Sequence, residues 1–270
     1  MSPPVITFLS DYGLTDGFVG VCHGVIAGIC PDAHVIDLTH GIERHDVQAG
    51  ALTLADALPY MPAGVHLAVV DPGVGGERRA VALRTSDRRL LVGPDNGLLA
   101  PAAETAGGVV QAADIADSRF RLEPGSATFH GRDIFAPVAA SLAAGASLEE
   151  AGRLFDPAQL VALELSHTRR ENGELVIHVV HVDRFGNLAL DLPPDDLRRR
   201  GVKLADRVVL SPKRGVRLDV PFTRTFAEVA AGHLLLLEDS ARRLALAVNR
   251  GNAAERLGLA AGDELRMSAP

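Results

Sequence analysis

The sequence predicts two domains: an α/β N-terminal domain with a mainly parallel sheet over residues 1–165, and a C-terminal antiparallel β-barrel domain over residues 172–270. Three observations lead there. Short apolar runs alternate with segments of helical periodicity through the first part, the pattern of strands returning in parallel through helices. A polar segment free of apolar residues, SHTRRENG at 166–173, then interrupts the chain and marks the boundary. Beyond it, strand-like runs separated by turn residues follow one another, as in small barrels.

The elements follow in order. VITFLS (5–10) is a strand, and residues 16–30 form a helix whose Phe18, Cys22, Val25, Ile26 and Ile29 share one face. Gly20, Gly24 and Gly28 recur along it, so one flank is smooth and is expected to press on the sheet, and Pro31-Asp32 ends it. HVIDLT (34–39) is a strand, 46–60 a helix, VHLAVV (65–70) a strand, and AVALRT (80–85) and RLLVG (89–93) further strands. After a stretch rich in Gly and Ala, residues 131–145 read as another helix. In the second domain the runs ELVIHVVHVD, NLALDL, DRVVLS, VRLDVPF, HLLLLE and RLALAVN read as strands, the last two joined by DSAR (239–242); only 252–258 reads as helical.

Composition narrows the function. A chain of 270 residues can bury a sizeable core. It has no run of eighteen apolar residues, so no membrane span is expected. Its first residues lack the basic and apolar regions of a secretory signal. Cys22 and Cys30 fall within one helix, about 12 Å apart along its axis and too far to bridge, which leaves two thiols and suits a cytoplasmic location. A net charge of −7 speaks against nucleic acid and tolerates a cationic small molecule.

Ligands of open parallel sheets bind at the carboxyl ends of the strands. Asp11 and Asp16 follow the first strand, Asp71 follows the third, and Asp183 follows the first strand of the second domain. Each has a structural alternative: Asp16 can cap the next helix, and Asp11 and Asp183 can serve turns. Turn residues alone do not account for acids repeated after separate strands. DPGVGGERR (71–79) is neither a P-loop nor a G-x-G-x-x-G fingerprint, and by itself it reads equally as a strand-to-loop turn. TFHGRDIFAP (128–137) adds His130 ahead of a helix. No H-E-x-x-H spacing occurs, and His178 and His181 face opposite sides of a strand, so no metal is assigned.

Six blocks in order, DYGLTDGFVG, DPGVGGERR, GPDNGLL, TFHGRDIFAP, DRFGN and VNRGNAAERLGL, make the chain similar nearly end to end to one family. It resembles the S-adenosyl-L-methionine (SAM) hydroxide adenosyltransferases, adenosine-forming SAM hydrolases related to the SAM-dependent fluorinase and chlorinase. The resemblance implies an α/β domain plus a β-barrel, a homotrimer with sites at subunit interfaces, SAM as substrate, and no cofactor. It implies Asp71, Arg78 and His130 as the catalytic group and Asp11 as the acid on the ribose hydroxyls. Asp16, Asp183 and Ser240 then meet the methionine portion, and Asn187, Asn252 and Ala253 the adenine. The chain departs from relatives in reading SARR after the LL strand, which leaves the roles of Arg242 and Arg243 open, and Arg79 beside Arg78 offers a second arginine.

The implied reaction is displacement of methionine from ribose C5′ by water. Carboxylates suit a sulfonium and an ammonium, and one carboxylate can hold a vicinal diol. Arg78 has no acceptor and cannot be the base, but it can stabilise hydroxide-like charge. A carboxylate beside an arginine is a weakened base, which favours His130 as proton acceptor and Asp71 as its orienter. On the resemblance, the glycines of 71–79 bring backbone close to ribose and water.

Three rivals are weaker. A halogenase of this superfamily carries an uncharged residue at the Asp71 position, the fluorinase has Ser at the Gly131 position, and no insertion separates RLLVG from PDNGLL. A non-catalytic SAM or adenosine sensor has no need of a water-activating group. A methyltransferase needs a glycine-rich loop after the first strand, where SDYGLTDG stands.

Overall fold

The first apolar run becomes a central strand because it is covered on both faces. In the computed structural model, which describes residues 3–213 and 215–268, β1 (Val5–Ser10) lies between β2 (His34–Thr39) and β3 (Val65–Val69), parallel to both. β5 (Leu90–Pro94) continues parallel to β3, and β4 (Ala80–Thr85) then pairs antiparallel with β5. β6 (Val109–Asp114) and β7 (Arg153–Phe155) extend the sheet antiparallel, giving the order β2-β1-β3-β5-β4-β6-β7. The parallel half carries the strand ends that matter: Ser10 pairs with Val69, so the segments holding Asp11 and Asp71 leave β1 and β3 side by side.

Strand side chains alternate between two helical layers. Ile6, Phe8, Leu67 and Val69 pack with α1 (Phe18–Ile29) and α4 (Ala136–Ala143). Leu9, Ala68 and Val70 pack with α2 (Val47–Ala57) and α3 (Ala100–Thr105) on the other face. α5 (Leu148–Ala151), opened by a Ser147 capping box, leads into β7.

Several local expectations change. The buried stripe of α1 is Val19, Cys22 and Ile26, while Phe18 and Ile29 are exposed. Its glycine flank does not press on the sheet: a Cβ added at Gly20, Gly24 or Gly28 would meet nothing within 4 Å. No side chain caps α1, whose N-cap is Gly17, so Asp16 is not a helix cap. α2 stops at Ala57, and a 3₁₀ turn with Pro59 follows, since proline removes a backbone donor. The helix expected over 131–145 begins as a π-helical turn, Gly131–Phe135, before α4.

The chain divides into two compact units after Glu164. The second unit includes β8 (Arg169–Glu171), inside the polar boundary segment, paired with β9 (Glu174–Val182). Its other strands are β10 (Leu188–Leu190), β11 (Arg207–Pro212), β12 (Leu218–Pro221), β13 (Leu234–Glu238), β14 (Leu244–Val248) and β15 (Glu264–Ser268). The ladders between neighbouring strands are antiparallel, in the order β12-β11-β15-β9-β10-β14-β13. A bridge from Phe222, just past β12, to Leu236 in β13 brings the two end strands together and nearly closes the barrel. Leu175, Ile177, Val179, Leu188 and Leu246 fill its interior. Besides α7 (Ala253–Leu257), the unit holds α6 (Pro194–Arg199), a second helix where one was expected.

Candidate active site

The first unit gathers its predicted residues at the carboxyl ends of β1 and β3. A cleft of about 450 Å³ is lined by Asp11, Asp16, Asp71 and His130, together with Tyr12 and Phe18. Arg78 stands behind this wall. Its Nε donates to both Asp71 oxygens, at 2.9 and 3.1 Å, and one terminal nitrogen also meets Oδ2. That same nitrogen lies 2.8 Å from His130 Nδ1. The guanidinium carbon sits 5.2 Å from the centre of the Phe135 ring, a cation–π contact. Arg79 points elsewhere: its Nε donates to Asp95 at 2.8 Å and its guanidinium covers Phe155. Of the two arginines, only Arg78 faces the acid.

The glycine run explains this fold-back. Val74 and Gly76 donate to the carbonyls of Asp71 and Gly73, curling the chain so that residue 78 returns to residue 71. Gly75 has φ +77° and stands against the Ala127 carbonyl, where any Cβ would collide. Asn96, from GPDNGLL, donates to the Val70 carbonyl at 2.9 Å and fixes the backbone just before Asp71.

Electrostatics follow from the contacts. Arginine only donates, so His130 Nδ1 accepts and the neutral ring carries its proton on Nε2. Burial first, and then the adjoining Arg78 charge, hold this imidazole below its ordinary value. Asp11 is steadied by the His45 backbone N–H, 3.0 Å from Oδ2, on the loop after β2. The sequence reading missed that loop, although its position past a strand's carboxyl end was the available signal. It also missed Tyr12. Its ring packs edge-on to Phe8 and Phe129, and burial pushes the phenol well above its ordinary value, with Cys22, Asp11 and Asp71 adding to the shift. The Tyr12 hydroxyl occupies the space where a Cβ on Gly131 would stand, so glycine is required there for close approach.

The second unit groups Asp183 with Asn187. Asp183 Oδ1 accepts the backbone N–H groups of Phe185 and Asn187 at 2.8 and 2.9 Å, and Oδ2 accepts from the Asn187 amide at 2.7 Å. The carboxylate therefore shapes its own turn, and Asn187 keeps its carbonyl and one N–H free of that pairing. Asn252 caps α7 through Glu255 N at 2.9 Å, and Ala254 donates to the Gly186 carbonyl, bringing Asn252 and Ala253 to the same turn. Ser240 is not in this group. It lies in the exposed β13–β14 turn, beyond the opposite end of β14 from Asn252. Beside it, Arg242 pairs with Glu238 at 3.1 Å.

A mixed sheet whose parallel half opens on an acid-lined cleft, with an antiparallel barrel in the same chain, defines a two-domain ligand-binding protein of the strand-end type. The chain belongs to the SAM hydroxide adenosyltransferase family: the model of its N-terminal domain matches residues 6–152 and that of its C-terminal domain residues 177–266. It is similar, at 48% identity over 100% of both chains, to the (R)-S-adenosyl-L-methionine hydrolase of Salinispora tropica. A crystal structure of an uncharacterized conserved protein from Thermotoga maritima matches with a TM-score of 0.90 at 37% identity, covering 97% of this chain and 99% of that one. More distant is the fluorinase of Nocardia brasiliensis, 28% identical over 96% of this chain and 95% of its own.

Proposed function

We propose that this protein hydrolyses S-adenosyl-L-methionine to adenosine and L-methionine, with Asp71, Arg78 and His130 as its reacting group. The observation that carries the reading is one cleft in which Asp11, Asp16, Asp71 and His130 meet, with Arg78 bound to the last two. Three carboxylates there suit a substrate bearing a sulfonium and an ammonium. Asp11 holds the ribose hydroxyls, and Asp16 faces the charged methionine portion. In the second unit, Asp183 serves the methionine portion and Asn187, Asn252 and Ala253 the adenine, while Ser240, at the other end of β14, is assigned to the methionine portion on the family resemblance alone.

Water attacks C5′ in line with the C5′–S bond. The new C–O bond forms, the C–S bond breaks with its electron pair going to sulfur, and the proton leaves the water. Methionine departs as a neutral thioether and needs no acid. His130 is the less suitable acceptor, because Arg78 already occupies its Nδ1 and its other nitrogen bears a proton. Asp71 keeps acceptor lone pairs and takes the proton, while His130 Nε2–H helps orient the water. Arg78 is the positioning group behind both.

The relatives' name carries an R descriptor in addition to L for the amino acid, which assigns it to the sulfonium; we carry that preference over to this chain. The same reading places it in the cytoplasm as a homotrimer with shared sites, a state that light scattering on the purified protein checks. No helix among the described residues is long and apolar enough to cross a membrane. The decisive experiment incubates the protein with each sulfonium epimer and follows products by chromatography. Adenosine and methionine in equal amounts, formed faster from the R epimer, are expected. No adenosine after long incubation returns the protein to a sensor, and chlorinated adenosine in the presence of chloride makes it a halogenase.

A further inference from the structure

Away from the cleft, three side chains from different elements of the first unit converge. His23 on α1, Asp37 on β2 and His40 just past β2 each bring one ligand atom within 4.8 Å of the other two. His23 Nε2 lies 2.9 Å from Asp37 Oδ1, and His40 Nε2 lies 3.1 Å from the same oxygen. His40 is the buried member, its side chain 3% exposed, and its Nε2 makes no hydrogen bond despite that proximity. The orientation of its ring is set from the far side. Ser10, fully buried, places its hydroxyl 2.8 Å from His40 Nδ1, and Phe8 packs edge-on against the ring with centroids 4.7 Å apart.

This is a donor set with its support already built. Two imidazoles and a carboxylate suit first-row divalent ions rather than magnesium or calcium. A histidine that binds a metal through one nitrogen normally donates the other N–H to a fixed acceptor, the part Ser10 can take here. We propose that His23, Asp37 and His40 form a binding site for a divalent transition ion of the zinc class, with a further coordination position open beside the exposed Asp37. No ligand-spacing motif announces it, because the three residues meet only through the packing of α1 against β2.

The ion acts as a brace. It ties α1 to β2 and holds His40, whose carbonyl accepts from Gly13 N at 2.8 Å. Gly13 lies between Asp11 and Asp16, so the loop carrying both acids is steadied from behind. The site takes no part in chemistry at C5′, and its test is independent of the SAM reading.

Untagged, chelator-treated full-length protein is titrated with zinc sulfate by calorimetry, with metal content measured after dialysis. One ion per chain is expected, with a rise in the unfolding midpoint of roughly 3–8 °C at saturation. His23→Ala and Asp37→Asn alter side chains on the open side; each should fold with an unchanged metal-free midpoint and bind zinc at least tenfold more weakly. Cobalt(II) in place of zinc should give visible bands that His23→Ala removes. No stoichiometric binding, or equal binding by the variants, overturns the proposal. If a variant's metal-free midpoint falls, the cobalt bands of the wild-type protein decide: their absence overturns the site and their presence supports it.

Discussion

Arg78 approaches His130 at Nδ1, 2.8 Å away, and because the guanidinium can only donate, this contact fixes which tautomer the imidazole adopts. The same arginine holds both oxygens of Asp71. Protonation of His130 would set an N–H against a guanidinium and break the arrangement. The contact therefore favours the neutral ring, and burial together with the Arg78 charge lowers its pKa in the same direction. The kcat/KM profile for SAM should be flat through neutral pH and fall on the acid side below the ordinary histidine value of about 6.5. Arg78→Gln removes the largest charge opposing protonation, so its acid limb should move to higher pH. An unmoved limb would separate His130 from the pH dependence.

Asp71→Asn retains the shape but loses the proposed proton acceptor. Turnover should drop roughly 10²–10⁴-fold, with KM changed only a few-fold. Asp11→Ala should show the reverse emphasis, a raised KM, because it removes the contact proposed for the ribose hydroxyls. Steady-state kinetics on both variants, with melting curves as a folding control, check the division of roles.

Gly131 and Tyr12 are sterically coupled. Gly131→Ala forces the phenol aside and should cost about 1–3 kcal/mol of stability, as overpacking does. The double variant Gly131→Ala with Tyr12→Phe, which deletes the colliding oxygen, should recover part of that loss. Chemical denaturation of the four members of the cycle measures the coupling.

His66, fully buried on β3, bonds Thr7 Oγ1 through Nδ1 at 2.9 Å and leaves Nε2 without a partner. Burial, with help from the Arg89 charge, pushes its pKa down to about 4. The folded protein therefore refuses a proton that the unfolded chain accepts near pH 6.5, and stability falls as pH drops from that value toward 4. The loss from this group approaches about 3 kcal/mol at the lower limit. Urea unfolding at pH 7.5 and 4.5 should show it, and His66→Gln should reduce the difference.

Strands were readable wherever apolar runs stood between turn residues, as with β1, β3 and β14, because burial on both faces leaves a continuous signal. Short elements were not. α3, with six residues, and β6 sit inside a Gly/Ala-rich stretch whose composition carries no period, and α6 has only one turn and a half. The acids of the cleft were legible from their position after strands. Tyr12 and the Asp11–His45 contact were not, since a tyrosine packed among phenylalanines looks like core, and a backbone N–H leaves no trace in composition. Asp183 shows the limit from the other side: its turn-forming role and its proposed contact with substrate rest on the same carboxylate.

The pairing of Ser10 with Val69 means that the mouth of the cleft is defined by main-chain hydrogen bonding between β1 and β3. Asp11 and Asp71 stand just past that pairing, on segments whose starting points it sets side by side. A change confined to the side chain at position 71 therefore alters what the opening presents, and what Arg78 can grip, while the two strands beneath it keep their register.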